Sequence, residues 1–364
     1  MTMNNSAAKF DPAMAVPNKS QEGLKFIPFD TPPIRLTGFV FHEPGKTLRR
    51  FPLTQDLPHG VEVQAYHTSG GRLDFRSNTR RLWIRVKLHE SSHADHMPDT
   101  GGCGFDLYIG EPGKAAMLGG SRSKAGSDEY TSALHTFELS GKMENYTINM
   151  PLYSGVLSLE IGIDEDAQIL PPAPFASEQP IIVYGTSITQ GGCASRPGMA
   201  YTAILSRYFN QPVLNYGFSG SGRGEPVVAE YLTKIENPAA FILDYEPNAQ
   251  AEGIRETLET FISILRKKNP ETPILVMSSV RMNREIPISG SPEIQAPKQA
   301  ASVRFQQGLI RRLRKAGDKN LYFINGGKIS GKDWHEFSVD GIHQTDLGFY
   351  FIAKGLKKVL KKIL

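Results

Sequence analysis

The sequence predicts two domains of different class. Residues 31–169 read as an all-β, jelly-roll-like sandwich, and residues 181–364 as a three-layer α/β domain with a five-stranded parallel sheet. Three observations lead there. The chain has 364 residues, more than one ordinary core fills. Its hydrophobic pattern changes midway, from short alternating runs to runs separated by helical stripes. Between them stands Leu170-Pro-Pro-Ala-Pro174, a break, because proline fixes its own φ and donates nothing to a sheet ladder. Residues 1–30 are expected to form an N-terminal extension and residues 170–180 a linker.

In the first half, Val61–Tyr66, Leu82–Leu88, Phe105–Ile109, Tyr146–Met150 and Val156–Ile161 read as strands, separated by turn-rich pieces such as Ser69-Gly-Gly71 and Glu111-Pro-Gly113. No stretch there holds a helical period, which favours two packed sheets. In the second half, Ile181–Tyr184, Val213–Tyr216, Phe241–Asp244, Ile274–Met277 and Leu321–Ile324 are buried-type strands. Helices are expected over Met199–Phe209, Glu225–Ile235 and Ala300–Lys315, with another carrying Ile254, Leu258, Phe261, Ile262 and Leu265. Leu347, Phe351, Ile352, Leu356, Val359, Leu360 and Ile363 mark a terminal helix. Strand–helix alternation means a parallel sheet with right-handed crossovers.

Composition removes several function classes. A chain 40% hydrophobic and 21% charged is globular. No run approaches the roughly 18–20 apolar residues that span a bilayer, so membrane insertion is not expected. Cys103 and Cys193 are too few for a disulfide framework or a Cys-rich zinc site. The 41 basic and 37 acidic residues give a net charge of +4, and Lys354, Lys357, Lys358, Lys361 and Lys362 of the last helix account for it. Nucleic-acid binding therefore gains no support. Residues 1–23 lack the basic start and apolar stretch of a secretory leader, so a cytoplasmic location is the expectation. The oligomeric state is not readable.

In open parallel α/β sheets, ligands bind at the carboxyl ends of strands. The polar residues that follow each strand are therefore the candidates. Gly185-Thr-Ser-Ile-Thr-Gln-Gly191 follows the first strand, Asn215-Tyr-Gly-Phe-Ser-Gly-Ser-Gly222 covers the end of the second, and Asp244-Tyr-Glu-Pro-Asn248 leaves the third. Asp340-Gly-Ile-His343 lies beyond the fifth. These supply what nucleophilic catalysis needs. Ser187 is a nucleophile at a glycine-flanked turn, His343 a base that titrates near neutrality, and Asp340 a carboxylate to hold the imidazole tautomer. The Ser187 and Gly220 N–H groups and the Asn248 amide are donors for an oxyanion. Each has a plainer alternative: a turn serine, a turn glycine with positive φ, a helix N-cap at Asn248, a β-turn at Asp340-Gly341, and His335 as the other histidine of this half. Arg196 and Arg223 follow the first two strands and either clamp substrate or form surface ion pairs. A Cys193 nucleophile would need a base of its own. His89, His93, Asp95 and His96 suggest a metal cluster, against the reading of scattered surface histidines that is preferred here.

The four blocks together resemble the SGNH hydrolases, or GDSL esterase/lipase family, over residues 181–364. Ser187, Gly220, Asn248 and the Asp340/His343 pair occupy the positions of that family's block residues. Gly191–Tyr201 with Gly217–Glu225 looks like the subgroup that carries an N-terminal β-sandwich. The resemblance implies a flavodoxin-like SGNH domain. It also implies serine esterase chemistry without metal or cofactor on small, acetyl-type acyl groups, the substrate being a small-molecule or carbohydrate ester. Two departures stand out: Thr186 where the family has Asp, and Asn248 flanked by Pro247 and Ala249 rather than by Gly and Asp. The alternatives are an acyltransferase using the same residues and a carbohydrate-binding protein without catalysis. The β-half would bind glycans, wall the site or merely pack.

Overall fold

The computed structural model describes residues 7–11, 14, 20–90, 92–123, 126–286 and 296–364. Its first half is two antiparallel sheets. One runs β1 (Leu24–Pro28), β9 (Val156–Asp164), β4 (Leu82–Leu88), β7 (Glu129–Ala133). The other runs β10 (Ile169–Leu170), β3 (Arg72–Ser77), β8 (Glu144–Asn149), β5 (Asp106–Ile109), β6 (Ala116–Gly120), with β2 (Arg35–Thr37) also on β3. Alternating inward residues such as Leu73, Phe75, Ile84, Val86, Ile148 and Ile161 meet between the sheets in one core.

The second half is a parallel sheet in the order β12 (Val213–Gly217), β11 (Ile181–Gly185), β13 (Ala240–Asp244), β14 (Ile274–Met277), β15 (Leu321–Ile324). That is the flavodoxin-like 2-1-3-4-5 order, with its switch point beside the first strand. One face packs on α5 (Pro226–Leu232), α6 (Glu246–Lys268) and α7 (Ala296–Lys315), the other on α4 (Tyr201–Phe209) and α8 (Asp346–Ile363). The strands β11 to β14 are buried on both faces, which is why they read as apolar runs, whereas the edge strand β15 is half-buried. In α8 the buried face is Phe349, Ile352, Ala353, Leu356 and Leu360; Leu347, expected on it, is exposed.

The first half departs from expectation in two places. Val61–Tyr66 is not a strand: α1 (His59–Gln64) occupies that stretch, and a second short helix, α2 (Asp99–Gly102), lies further on. Val61 and Ala65 are buried one turn apart while Val63 is exposed, so a 3.6-residue period was hidden inside an apparent alternation. Six residues are too few for the two periods to separate. In addition, β1 lies within the stretch expected to be an extension, paired with β9 from Leu24 to Pro28.

The two halves share a core. Phe51, Leu57, Val61 and Ala65 pack among Tyr216, Phe218, Val228 and Tyr231 of the α/β half. Phe51 stacks on Tyr216 and Phe218 with ring centroids 4.6 and 5.7 Å away. The edge strand β12, whose outer carbonyls would otherwise lack partners, is covered by Arg50. This fully buried guanidinium donates to Asn215 O (3.1 Å), Gly217 O (2.7 Å) and Gln64 O (2.8 Å). Burial pushes it down to about 9, so it keeps its charge at neutral pH.

Candidate active site

At the end of β11, Thr186 leaves the strand in an extended conformation and its side chain caps Ile188 N–H, starting the one-turn helix α3 (Ser187–Gln190). Ser187 is therefore the first residue of a helix, where N–H groups lack intrahelical partners. The end of β12 approaches α3 so closely that a Cβ on Gly217 would meet the Gln190 backbone. Below the helix, Thr189 and Tyr201 hydroxyls donate to the buried Asp244 carboxylate, each at 2.9 Å, and burial pushes that acid up to about 7.

Asp340 and His343 lie on a turn closed by Val339 N–H on His343 O (2.9 Å) and by a bridge between Ser338 and Gln344. Gly341 has the positive φ, 85°, that the turn requires. Asp340 Oδ1 accepts from the Ile342 and His343 N–H groups at 2.9 and 2.7 Å, and Oδ2 lies 2.6 Å from His343 Nδ1. Partial burial alone would raise this carboxyl, but the three hydrogen bonds outweigh it and hold it at about 2. His343 Nε2 in turn lies 2.9 Å from Ser187 Oγ. The loop after α3 is tied to the start of α8, where Asp346 accepts from Ser195 N–H (2.8 Å) and from the Ser195 hydroxyl. That tie draws together residues 156 positions apart in the chain.

Gly220 sits at a turn with φ 66°, and a Cβ there would meet nothing within 4 Å, so open space faces it. Among the described residues none accepts a hydrogen bond from its N–H. Asn248 is not a helix N-cap; Tyr245 takes that place, and Asn248 lies in the first turn of α6. Its amide donates to Phe218 O at 3.2 Å, two residues before Gly220. Arg223 is exposed and donates to Gly220 O at 3.1 Å. Arg196 has another partner. Its Nη1 donates to Asp106 Oδ2 and Tyr108 OH, each at 2.7 Å, so the guanidinium is anchored across the boundary between the halves. His335 pairs with its neighbour Glu336 at 3.5 Å and meets the Trp334 ring edge-on, centroids 6.0 Å apart.

Several residues at the site were missed from sequence, most of them because they belong to the other half. Gln64 makes both backbone bonds to Ser219, accepting its N–H at 2.5 Å and donating to its carbonyl at 2.8 Å. Gln190, at the end of α3, also accepts Ser219 N–H (3.0 Å) and donates to His67 Nδ1 (2.9 Å). His67 is held neutral, pushed down to about 3 by burial, then by the charge of Arg50. His96 reaches the site from the connection after β4. Its Nε2 lies 3.8 Å from Asp340 Oδ2, and its ring centroid 5.5 Å from that of His343. Nothing in the local pattern marked Gln64 or His67; the sequence marks His96 only as one of four residues of a candidate metal cluster, and the fold alone places it beside Asp340.

Among the described residues, two groups of side chains could hold a metal: His96 with Cys193 and His343, and His93 with Asp99 and Cys103. His89 belongs to neither; it stacks on Tyr66, ring centroids 5.0 Å apart. Burial pushes the Cys193 thiol up to about 12, with the charge of Asp340 adding to the effect, so it is no thiolate nucleophile. No described helix is long and apolar enough to cross a membrane.

Two family models match the chain. Residues 178–361 match the GDSL-like lipase/acylhydrolase family, and residues 24–169 match a family described as the N-terminus of SGNH-hydrolase-type esterases. The latter is named for the pattern GxDLY, which stands here as Gly104-Phe-Asp-Leu-Tyr108. Its Asp and Tyr are the residues that hold Arg196. Among solved structures, the chain is similar to a protein from Bacteroides ovatus described as a GDSL-like lipase. They share 32% identity over 93% of this chain and 98% of that one, with a TM-score of 0.82. It shares its fold with the salicylyl-acyltransferase SsfX3 of a tetracycline biosynthetic pathway (20% identity, 94% and 98% coverage, TM-score 0.75). The same holds for a family two carbohydrate esterase from Cellvibrio japonicus (14%, 93% and 98%, 0.59). No curated protein matches the chain.

Proposed function

The chain belongs to the GDSL-like lipase/acylhydrolase family, and from that premise we propose that it is a serine esterase. In this reading it hydrolyses small acyl esters, of the acetyl type, on small molecules or carbohydrates. The observation that supports it most is the relay Ser187 Oγ, His343 Nε2, His343 Nδ1, Asp340 Oδ2, with steps of 2.9 and 2.6 Å. Ser187 Oγ bonds to the ester carbonyl carbon as His343 takes the hydroxyl proton. The carbonyl oxygen becomes an anion facing the Ser187 and Gly220 N–H groups and the Asn248 amide; such donors contribute roughly 3–4 kcal/mol each. The carbon–oxygen bond to the alcohol then breaks, and the imidazolium protonates the leaving oxygen. Water, deprotonated by the same imidazole, attacks the acyl-enzyme, and the acid departs as Ser187 regains its proton. Asp340, ionised throughout, fixes the tautomer and stabilises the imidazolium.

Whether water or another alcohol accepts the acyl group depends on access. The His343 and Asp340 side chains keep 21% and 29% of their surface exposed, which favours water. Arg223, exposed beside Gly220, is the candidate contact for the alcohol part of the substrate. The decisive experiment is p-nitrophenyl acetate hydrolysis by wild type and Ser187→Ala, followed by product analysis with acetylated sugars and with an added acceptor alcohol. The expected result is loss of turnover with an unchanged melting temperature; wild-type rates in the variant would reject Ser187 as nucleophile.

A further inference from the structure

We infer that His96, Cys193 and His343 form a binding site for a soft divalent cation of the Zn2+ or Cd2+ class, and that filling it switches off ester hydrolysis. The switching half of this inference rests on the proposed role of His343 as the base; the metal site itself does not.

The ligand atoms of the three residues lie within 4.8 Å of one another, although the residues come from three separate segments. Each histidine already has a carboxylate on Nδ1: Asp95 Oδ1 at 3.0 Å for His96, and Asp340 Oδ2 at 2.6 Å for His343. That is the outer-shell arrangement of metal-binding histidines, in which the carboxylate fixes the tautomer and leaves Nε2 as the donor. Cys193 holds a left-handed backbone, φ 71°, uncommon for a residue with a side chain. Its neighbours are pinned by Gly192 N–H on Ser187 O (2.8 Å) and Ala194 N–H on Gly191 O (3.1 Å). One thiolate with two imidazoles selects zinc-like ions over magnesium or calcium. Three protein ligands leave a fourth position for water.

On binding, the thiol proton leaves to solvent and a metal–sulfur bond takes its place. The Nε2 lone pair of His343 is donated to the cation, so Ser187 loses its proton acceptor. Removing the cation restores it. The second cluster, His93 with Asp99 and Cys103, provides a comparison in the same chain: there the carboxylate bonded to the histidine, 2.8 Å from His93 Nδ1, is itself one of the three ligands, so no separate outer partner remains to hold the ring.

The test uses the full chain with p-nitrophenyl acetate as substrate, Zn2+ as inhibitor, and Co2+ or Cd2+ as spectroscopic probes of metal–thiolate bonding. Wild type should bind one equivalent with a thiolate charge-transfer band and lose activity, with EDTA restoring it. Cys193→Ala should lose the band and resist Zn2+ at least about 100-fold better, since even an outer partner is worth 10–100-fold in metal affinity. The exposed His96→Gln should resist about 10-fold better, and His93→Gln should behave as wild type. Cys193→Ala should keep metal-free hydrolysis, and the Zn2+ response of each variant is read relative to its own metal-free rate. Equal Zn2+ sensitivity in all variants, or a band that survives Cys193→Ala, overturns the inference. A Cys193-dependent band with undiminished hydrolysis would instead sink His343 as the base while the metal site stood.

Discussion

In the α/β half the candidate reacting groups stand within a few residues of strand or helix ends: Ser187 after β11, Gly220 after β12, Asn248 after β13 and His343 before α8. The β-half contributes differently. Among the described residues, Gln64, Arg50, His67 and Asp106 bond to no candidate reacting group, but they hold the segments around those groups. The candidate reacting groups are local to one sheet edge, whereas part of what holds their segments comes from outside that domain. The sandwich is thus part of the site's construction, although its own strands carry no candidate catalytic side chain.

This contrast can be broken or sharpened by substitution. The largest effect is expected at Asp340→Asn, which keeps the Oδ1 acceptor of the turn but presents the wrong group to His343 Nδ1. The rate constant kcat should fall about 10⁴-fold with a folded protein, by the tautomer logic known for triads. A mild loss would detach the carboxylate from catalysis. Next comes Asp106→Ala in the β-half. It strips Arg196, Gly198 N–H and the Asn149 amide of their shared, fully buried partner. Denaturant titration should show a loss of about 3–5 kcal/mol, while activity per folded molecule changes little. If activity per folded molecule falls as far as in Asp340→Asn while stability holds, the division between chemistry and support fails.

Gln64→Ala addresses the boundary itself. Without the clamp on Ser219, the loop bearing Gly220 can drift, and misplacement on the order of 1 Å costs about 10²-fold. The expected signature is a lower kcat with KM unchanged. The smallest effect concerns acid. His67 titrates at about 3 in the fold and near 6.5 when unfolded, so the unfolded chain binds the extra proton between those values. Its contribution is complete above about pH 6.5 and is lost as pH falls toward 3, amounting to about 2 kcal/mol near pH 5. His67→Gln should flatten the stability profile in that window, and an unchanged slope would dissociate the histidine from the interface.

The sequence determined the class of both halves, the five parallel strands and the four segments that carry the candidate reacting groups. Those features depend on period and on short-range spacing. A strand buried on both faces must be a continuous apolar run, and a turn that carries Asp340 and His343 needs only four residues. Tertiary structure alone decided the rest. It made His59–Gln64 a helix, because burial of Val61 and Ala65 against Phe51 and Tyr216 overrode an ambiguous six-residue pattern. It turned Arg196 from a substrate candidate into the partner of Asp106, 90 residues earlier. It also brought His96 beside His343. Contacts between positions so far apart leave no periodic trace, since each residue is chosen for a neighbour that the linear order does not reveal.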